Sequence, residues 1–105
     1  MINEYNELQI LRNVQENISQ PSIAKKVGFS VGKVNFILKA LVEKGLVKSE
    51  RFISSNNKLK YSYLLTDEGI KEKMQLTTKF IARKKAEYEI LQSEFEEDTA
   101  RWGAN

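Results

Sequence analysis

The sequence of 105 residues has no cysteine, no histidine and only one proline. The first two absences exclude disulfides, thiolate chemistry, zinc sites built from Cys or His and an imidazole general base. No apolar run approaches the ~20 residues of a membrane span, and the N-terminus lacks the basic and apolar regions of a leader peptide. We expect a soluble cytoplasmic protein with one small core, no metal and no cofactor.

Positive charge is concentrated in one part of the chain. Residues 19–60 carry nine basic and two acidic side chains, whereas residues 1–18 carry one basic and three acidic. A basic segment of this kind is typical of proteins that bind the phosphate backbone of nucleic acids, although a run of charge is often only a solvated surface. The two acids of the segment, Glu43 and Glu50, neighbour no nucleophile, and there is no Gly-rich phosphate loop, so we expect no enzyme activity.

Helical patterns dominate the first half of the chain. Apolar residues at helical spacing, the last of which is Ile18, predict a first helix over about residues 4–17. Ser19 as N-cap and Gly28 at the C-terminal end predict a second helix over about residues 20–27. Ser30 is the N-cap of a third helix over about residues 30–44, which Gly45 ends. Two helices joined by a tight turn are typical of a helix-turn-helix, whose second helix enters the major groove of DNA.

Two strands follow, over 46–53 and 59–65, the second through the alternation of Leu59, Tyr61, Tyr63 and Leu65. The residues between them, 54–58, are polar, and asparagine there tolerates the positive φ of a tight turn. We interpret this hairpin as the wing of a winged helix, at about residues 52–60. Packing in the core or within the hairpin is the favoured role of Tyr61 and Tyr63, over stacking on bases, because they share one strand face.

A last helix begins after Thr66 as N-cap and continues for ~30 residues, about 45 to 50 Å. Steps of four and three residues along it give a seam sustained over four heptads, which predicts a coiled coil. The fold class is therefore mainly α with a small β-hairpin: a winged helix-turn-helix domain at 1–65, and a dimerisation helix with a short tail at 66–105. The seam residues are Ile70, Met74, Thr77, Ile81, Lys84, Tyr88, Leu91, Phe95, Asp98 and Trp102.

The charges of the last helix favour an antiparallel homodimer. Residues 71–85 carry six basic side chains and one acidic, whereas residues 87–98 carry six acidic and none basic. Crossing near Ala86 places each basic half against the partner's acidic half, whereas a parallel pair places like charges together. The alternative is a helix that folds back on its own domain, which could bury only its first turns.

These residues resemble a known family, the MarR-type winged-helix regulators, and within it the MarR family EPS-associated (exopolysaccharide-associated) transcriptional regulators. The resemblance covers about residues 5–95. It is carried by the turn and third helix, by the wing and second strand, and by the last helix, at Ser19, Ala24, Gly28, Ser30, Gly32, Lys33, Val34, Asn35, Leu38, Gly45, Asn57, Lys58, Tyr61, Tyr63, Thr66, Gly69, Leu76, Phe80, Glu87 and Tyr88. It implies a transcriptional regulator that binds double-stranded DNA.

One position departs from the family pattern. After Gln20 the family commonly has an arginine and an acidic residue, whereas this chain has Pro21 and Ser22. The departure removes a backbone-contacting arginine and bears on affinity more than on fold.

Base-reading candidates lie at the start of the third helix. Lys33 can reach guanine and Asn35 can pair with adenine, or both are solvated surface. Phe36 faces outward, where it packs on a thymine methyl or supports the wing. Gly32 lets the backbone approach DNA closely or is merely tolerated there.

Phosphate candidates surround these residues. Ser30 is either only a cap or a cap whose neighbouring N–H groups also bind phosphate. The other candidates, each either bound to phosphate or solvated, are Ser22, Lys25, Lys26 and Lys39, with Arg51, Asn56, Asn57, Lys58 and Lys60 in the wing.

The sequence favours a repressor-type homodimer whose two recognition helices read successive major grooves of a pseudo-palindromic site. Two alternatives remain open: an architectural protein that coats or bridges DNA without sequence preference, and a protein-interaction adaptor that has lost DNA binding.

Overall fold

A computed structural model describes residues 2–14, 19–53 and 55–103. Within these residues the chain forms four helices and one antiparallel hairpin. Their bounds are α1 Glu4–Asn13, α2 Gln20–Val27, α3 Val31–Glu43, β1 Val47–Ile53, β2 Leu59–Leu65 and α4 Asp67–Trp102.

The first helix is shorter than its apolar spacing predicts. It begins at an Asn3 cap and ends at Asn13, because Val14 is extended (φ −80°, ψ 114°). The Asn13 side chain donates to the Gln9 carbonyl at 2.7 Å and so satisfies one acceptor of the last turn. The prediction that the helix reaches residue 17 is wrong at Val14, and its remaining part, with Ile18, lies outside the described residues.

Capping residues begin and end the helices of the helix-turn-helix as predicted. The hydroxyls of Ser19 and Ser30 accept from the N–H groups of Ser22 and Lys33 at 3.2 and 3.1 Å. Gly28 has φ +76° and ends α2. The turn brings the apolar stripe of α3 against α1 and α2, and the core side chains that are most fully buried are Ile10, Leu11, Ile23, Val34, Ile37, Leu38 and Leu41.

Only the base of the hairpin packs on the core, and the rest of it extends beyond the core. Its register runs from Val47 opposite Leu65 to Ile53 opposite Leu59, so β1 begins one residue later than predicted. Val47 and Tyr63 are buried at its base, whereas the tip is exposed. Asn57 has φ +59°, as expected of asparagine in this turn.

A compact joint connects the hairpin to α4. The Thr66 hydroxyl accepts from the Gly69 N–H at 3.0 Å and donates to the Gly45 carbonyl at 2.6 Å. Gly69 packs so closely that a Cβ built there would overlap the carbonyl oxygen of Leu46. Leu76 then enters the core, and the Tyr5 and Phe80 rings meet edge to face at 5.7 Å.

Beyond this joint α4 projects from the rest of the molecule. It has 36 residues, more than the ~30 predicted, and is about 54 Å long. Every residue from 81 to 98 is exposed, and the molecule measures 67 × 27 × 23 Å. None of the helices in the described part of the chain is long and apolar enough to cross a membrane.

Candidate nucleic-acid interface

The outer face of α3 is polar, basic and aromatic. Gly32, Lys33, Phe36 and Lys39 are exposed, with 59% of Phe36 open to solvent. This face results from the stripe of four apolar residues that α3 turns into the core, because the remaining positions must point outward. The structure therefore places these four predicted candidates on one surface.

The ammonium of Lys33 has a partner within the protein. Its Nζ lies 3.9 Å from the centroid of the Phe29 ring, in the turn before α3. The contact is a cation–π interaction, which restricts the orientation of a long and otherwise mobile side chain. Lys33 is therefore held beside the N-terminus of α3, where the Ser30 hydroxyl and the first N–H groups of the helix also lie.

Asn35 is half-buried and belongs to a network that connects three elements. The Gln20 side chain donates to Asn35 Oδ1 at 3.0 Å and to the Tyr63 hydroxyl at 2.8 Å. The network fixes α2, α3 and β2 relative to one another. Asn35 Oδ1 has a second lone pair, so it can accept from adenine while the bond to Gln20 is kept. Sequence analysis missed Gln20, because a polar residue at the start of a helix carries no signal of a contact with a distant strand.

A groove of about 1110 Å³ separates α3 from the hairpin and reaches the start of α2. Lys39 and Lys60 line it from α3 and β2, and Glu43 is also on its wall. Tyr61 lines the groove too and is 47% exposed, whereas Tyr63 is buried, so of the two predicted packing residues only Tyr63 belongs to the core. The difference arises because the hairpin extends beyond the core at Tyr61, where the exposed outer part of β2 begins.

The wing combines cations with exposed apolar side chains. Arg51, Asn56, Asn57, Lys58 and Lys60 are all exposed, and Ser54 lies outside the described residues. Ile53 is 72% exposed and sits opposite Leu59, which sequence analysis did not anticipate. The cross-strand register is the signal that would have placed these two side chains together.

The phosphate candidates on α2, Ser22, Lys25 and Lys26, are not among the described residues that line the groove. Ser22 Oγ accepts from the Ser19 hydroxyl at 2.9 Å, at the exposed start of the helix. Lys25 and Lys26 are exposed in its last turn. The structure therefore separates these residues from the groove walls.

Comparison with known proteins agrees with this geometry. Residues 4–48 match the winged helix-turn-helix DNA-binding family. A PadR-like transcriptional regulator from Bacillus cereus superposes with a TM-score of 0.73 at 18% identity, over 82% of this chain and 90% of that one. The fold is a winged helix.

Two further winged-helix structures are similar over most of the chain. The Staphylococcus aureus MepR–DNA complex gives a TM-score of 0.63 at 20% identity, over 97% of this chain and 78% of that one. The PcaV transcriptional regulator from Streptomyces coelicolor gives 0.62 at 17% identity, over 92% and 76%. No curated protein sequence matches the chain.

The winged helix leaves the predicted dimerisation seam of α4 uncovered. Thr77 is half-buried, and its hydroxyl donates to the Lys73 carbonyl at 2.7 Å. The seam residues that are exposed are Ile70, Met74, Ile81, Lys84, Tyr88, Leu91, Phe95, Asp98 and Trp102. Seven of these nine side chains are apolar, and a largely apolar stripe on one side of a long helix is a surface that a second molecule can cover.

Proposed function

We propose that the protein is a sequence-specific DNA-binding transcriptional regulator that acts as a homodimer. The observation that carries this proposal is the exposed face of α3, which presents Lys33, together with the groove between α3 and the hairpin, which Lys39 and Lys60 line. A winged helix reads DNA when its second helix enters the major groove. The wing then extends over the neighbouring backbone.

Base recognition is assigned to the first turns of α3. Lys33 can donate to guanine O6 and N7, and Asn35 can pair with the N6 and N7 atoms of adenine. Phe36 presents an apolar ring beside them, suited to a thymine methyl. Gly32 has open space where a Cβ would lie, so the backbone at this position is accessible.

Phosphate binding is assigned to the helix N-termini and the surrounding cations. The first N–H groups of α3, next to Ser30, carry partial positive charge. Ser22 offers a similar position on α2. Lys39 and Lys60 face the groove, and Lys25, Lys26, Arg51, Asn56, Asn57 and Lys58 extend the surface. Neutralised phosphates release counterions, so affinity should fall steeply with salt.

The dimer is assigned to α4, with DNA binding in residues 1–65 and association in 66–105. The apolar seam is exposed in the single chain, and its basic and acidic halves complement each other when two helices run antiparallel. Two winged helices related by a two-fold axis would read a pseudo-palindromic site. Occupation of a promoter would then repress transcription.

The resemblance to EPS-associated regulators supports targets near exopolysaccharide biosynthesis genes. A genome-wide map of bound sites tests this assignment of targets separately from DNA binding itself. Sites concentrated at such genes support it, and sites distributed without relation to them contradict it.

Selection from a randomised DNA library at fixed salt tests the proposed activity. We expect a preferred two-fold symmetric sequence. Lys33→Ala and Asn35→Ala should each reduce discrimination at one base position by about 1–3 kcal/mol, or roughly 5- to 150-fold. Lys58→Ala should weaken all sequences alike.

Arg12→Ala is the matched control, because Arg12 is an exposed cation on α1 and belongs neither to the assigned DNA surface nor to the dimerisation helix. Uniform, salt-sensitive binding to every sequence would instead indicate an architectural protein. Absence of binding would indicate an interaction adaptor. Unchanged binding by all three variants would show that the assigned DNA surface is wrong.

A further inference from the structure

A shallow apolar pocket lies where the end of β2 meets the first turns of α4. Its volume is about 320 Å³, and Leu65, Ile70, Lys73, Met74, Thr77 and Thr78 line it. Ile70 and Met74 are both exposed although their neighbours Gly69 and Leu76 are buried. The end of β2 and the first turns of α4 therefore build the walls of this pocket but leave its mouth open.

The other end of α4 carries a large apolar side chain that is mostly exposed among the described residues. Trp102 is 76% exposed and is the single tryptophan of the sequence. It lies 32 residues beyond Ile70 on a continuous helix, a separation of about 48 Å. A Trp102 side chain therefore cannot reach the pocket of its own chain.

The seam is separate from the face that α4 packs on its own domain. Ile70, Thr77 and Ile81 each follow a core-facing residue by one position: Gly69, Leu76 and Phe80. One residue corresponds to about 100° around a helix. A second helix can therefore lie along the seam without displacing α1.

Charge fixes the direction in which that second helix would run. The six basic residues between positions 71 and 85 would face the six acidic residues between positions 87 and 98 of an antiparallel copy. In a parallel copy each group would face its own kind, which costs free energy.

Antiparallel alignment also determines the register. Centred near position 86, it brings Ile81 opposite Leu91 of the partner subunit and Thr77 opposite Phe95 of the partner subunit. The same register places Trp102 of the partner subunit at Ile70, over the pocket.

We propose that Trp102 of a second copy fills this pocket and closes each end of the dimer, an inference that rests on the homodimer of the proposed function. The indole would cover Ile70 and Met74, and Lys73 on the pocket wall would lie beside its ring, in the arrangement of a cation–π contact. The contact occurs twice by symmetry. It joins the end of each long helix to the winged helix of the other chain.

Mixed crosslinking tests the register, because the chain has no cysteine of its own. Ile70→Cys and Trp102→Cys are made in separate full-length chains and then oxidised, alone and mixed. We expect a crosslinked dimer chiefly in the mixture. Crosslinking of each variant with itself, and no crosslink between the two variants in the mixture, would show a parallel pair and overturn the proposal.

Tryptophan emission tests occupation of the pocket in the otherwise unmodified chain. We expect the Trp102 emission to shift to the blue as concentration drives dimerisation, in step with the mass measured by sedimentation. Met74→Lys should abolish the shift or reduce it severalfold. Ile90→Lys is the matched control, since Ile90 is equally exposed on α4 but lies off the seam.

A dimer whose Trp102 emission stays at the monomer position would overturn the pocket contact while leaving the homodimer intact. A monomer at all concentrations would overturn both. DNA selection with the same samples separates either result from a failure of DNA binding.

Discussion

The winged helix and the projecting half of α4, residues 81–102, use apolar side chains in opposite ways. Leu41 in α3 has no exposed surface, whereas Leu91 in α4 is 64% exposed. The first region buries its hydrophobic residues with its own chain, through α1, α2, α3 and the hairpin. The second has an apolar stripe that none of the described helices and strands of its own chain covers. A chain of this length thus folds one small domain and leaves the remaining apolar surface exposed.

One substitution in each region should show the largest difference between an effect on folding and an effect on association. Leu41→Ala should lower the free energy of unfolding by about 2–5 kcal/mol, because it leaves a cavity in a fully packed core. Leu91→Ala should leave unfolding of the dilute monomer within roughly 0.5 kcal/mol of the original and weaken association instead. Urea unfolding and sedimentation measure the two quantities. Equal losses of unfolding free energy at both positions would show that α4 is packed on its own domain.

The joint between the two regions depends on one glycine. Gly69→Ala should cost about 1–3 kcal/mol of unfolding free energy, because its Cβ would overlap the Leu46 carbonyl and displace the start of α4. Gly32→Ala is the control, since a Cβ there meets open space and alanine restricts the unfolded chain. Thermal or urea unfolding measures the stability of both variants. A Gly69→Ala protein as stable as the Gly32→Ala protein would contradict the tight packing at Gly69.

A buried carboxyl at the same joint gives the smallest effect, and it depends on pH. Glu7 on α1 is buried, and its Oε1 has no hydrogen-bond partner among the described residues. Burial first, and then the charge of Glu72 on α4, raise the pKa of Glu7 above its ordinary value of 4.5, while Lys44 at the end of α3 acts in the opposite direction. Glu4, on the same helix, adds to the rise.

The sign of the pH dependence follows from that raised pKa. The folded protein keeps the Glu7 proton at pH values where the unfolded chain has released it, so this contribution to stability is present below pH 4.5 and is lost as the pH rises through the folded-state pKa. Glu7→Gln should therefore be more stable than the original near neutral pH, and the gain should vanish in acid. Unfolding curves across pH measure it, with the exposed Glu43→Gln as control; a gain that does not depend on pH would contradict the assignment.

Local signals explain which parts of this fold could be predicted. Ser19, Ser30 and Thr66 cap helices as their positions in the sequence indicate, and Asn57 takes the positive φ expected of it. Such features depend on a few neighbouring residues, and the hydrophobic periods of α3 and α4 are equally local. The end of α1 was misjudged because apolar spacing continued beyond the point at which Val14 becomes extended.

Features that depend on distant contacts could not be predicted. The Gln20 network spans up to 43 positions of sequence, and Gly69 is required by a carbonyl that belongs to another element. Tyr61 and Tyr63 have the same residue type and share a strand face, yet only the second is buried. Their positions along the hairpin decide between them, because only the base of β2 reaches the core, and periodicity carries no information about where the core ends.

The central proposal is that the outer face of α3 and its groove bind DNA with sequence preference. The most direct measurement is the affinity of the intact protein for its selected site and for a scrambled duplex, across a range of salt concentrations. We predict one dimer per site, a preference of at least about a thousandfold, and affinity that falls steeply as salt is raised. Equal affinity for the two duplexes at every salt concentration would contradict the central claim.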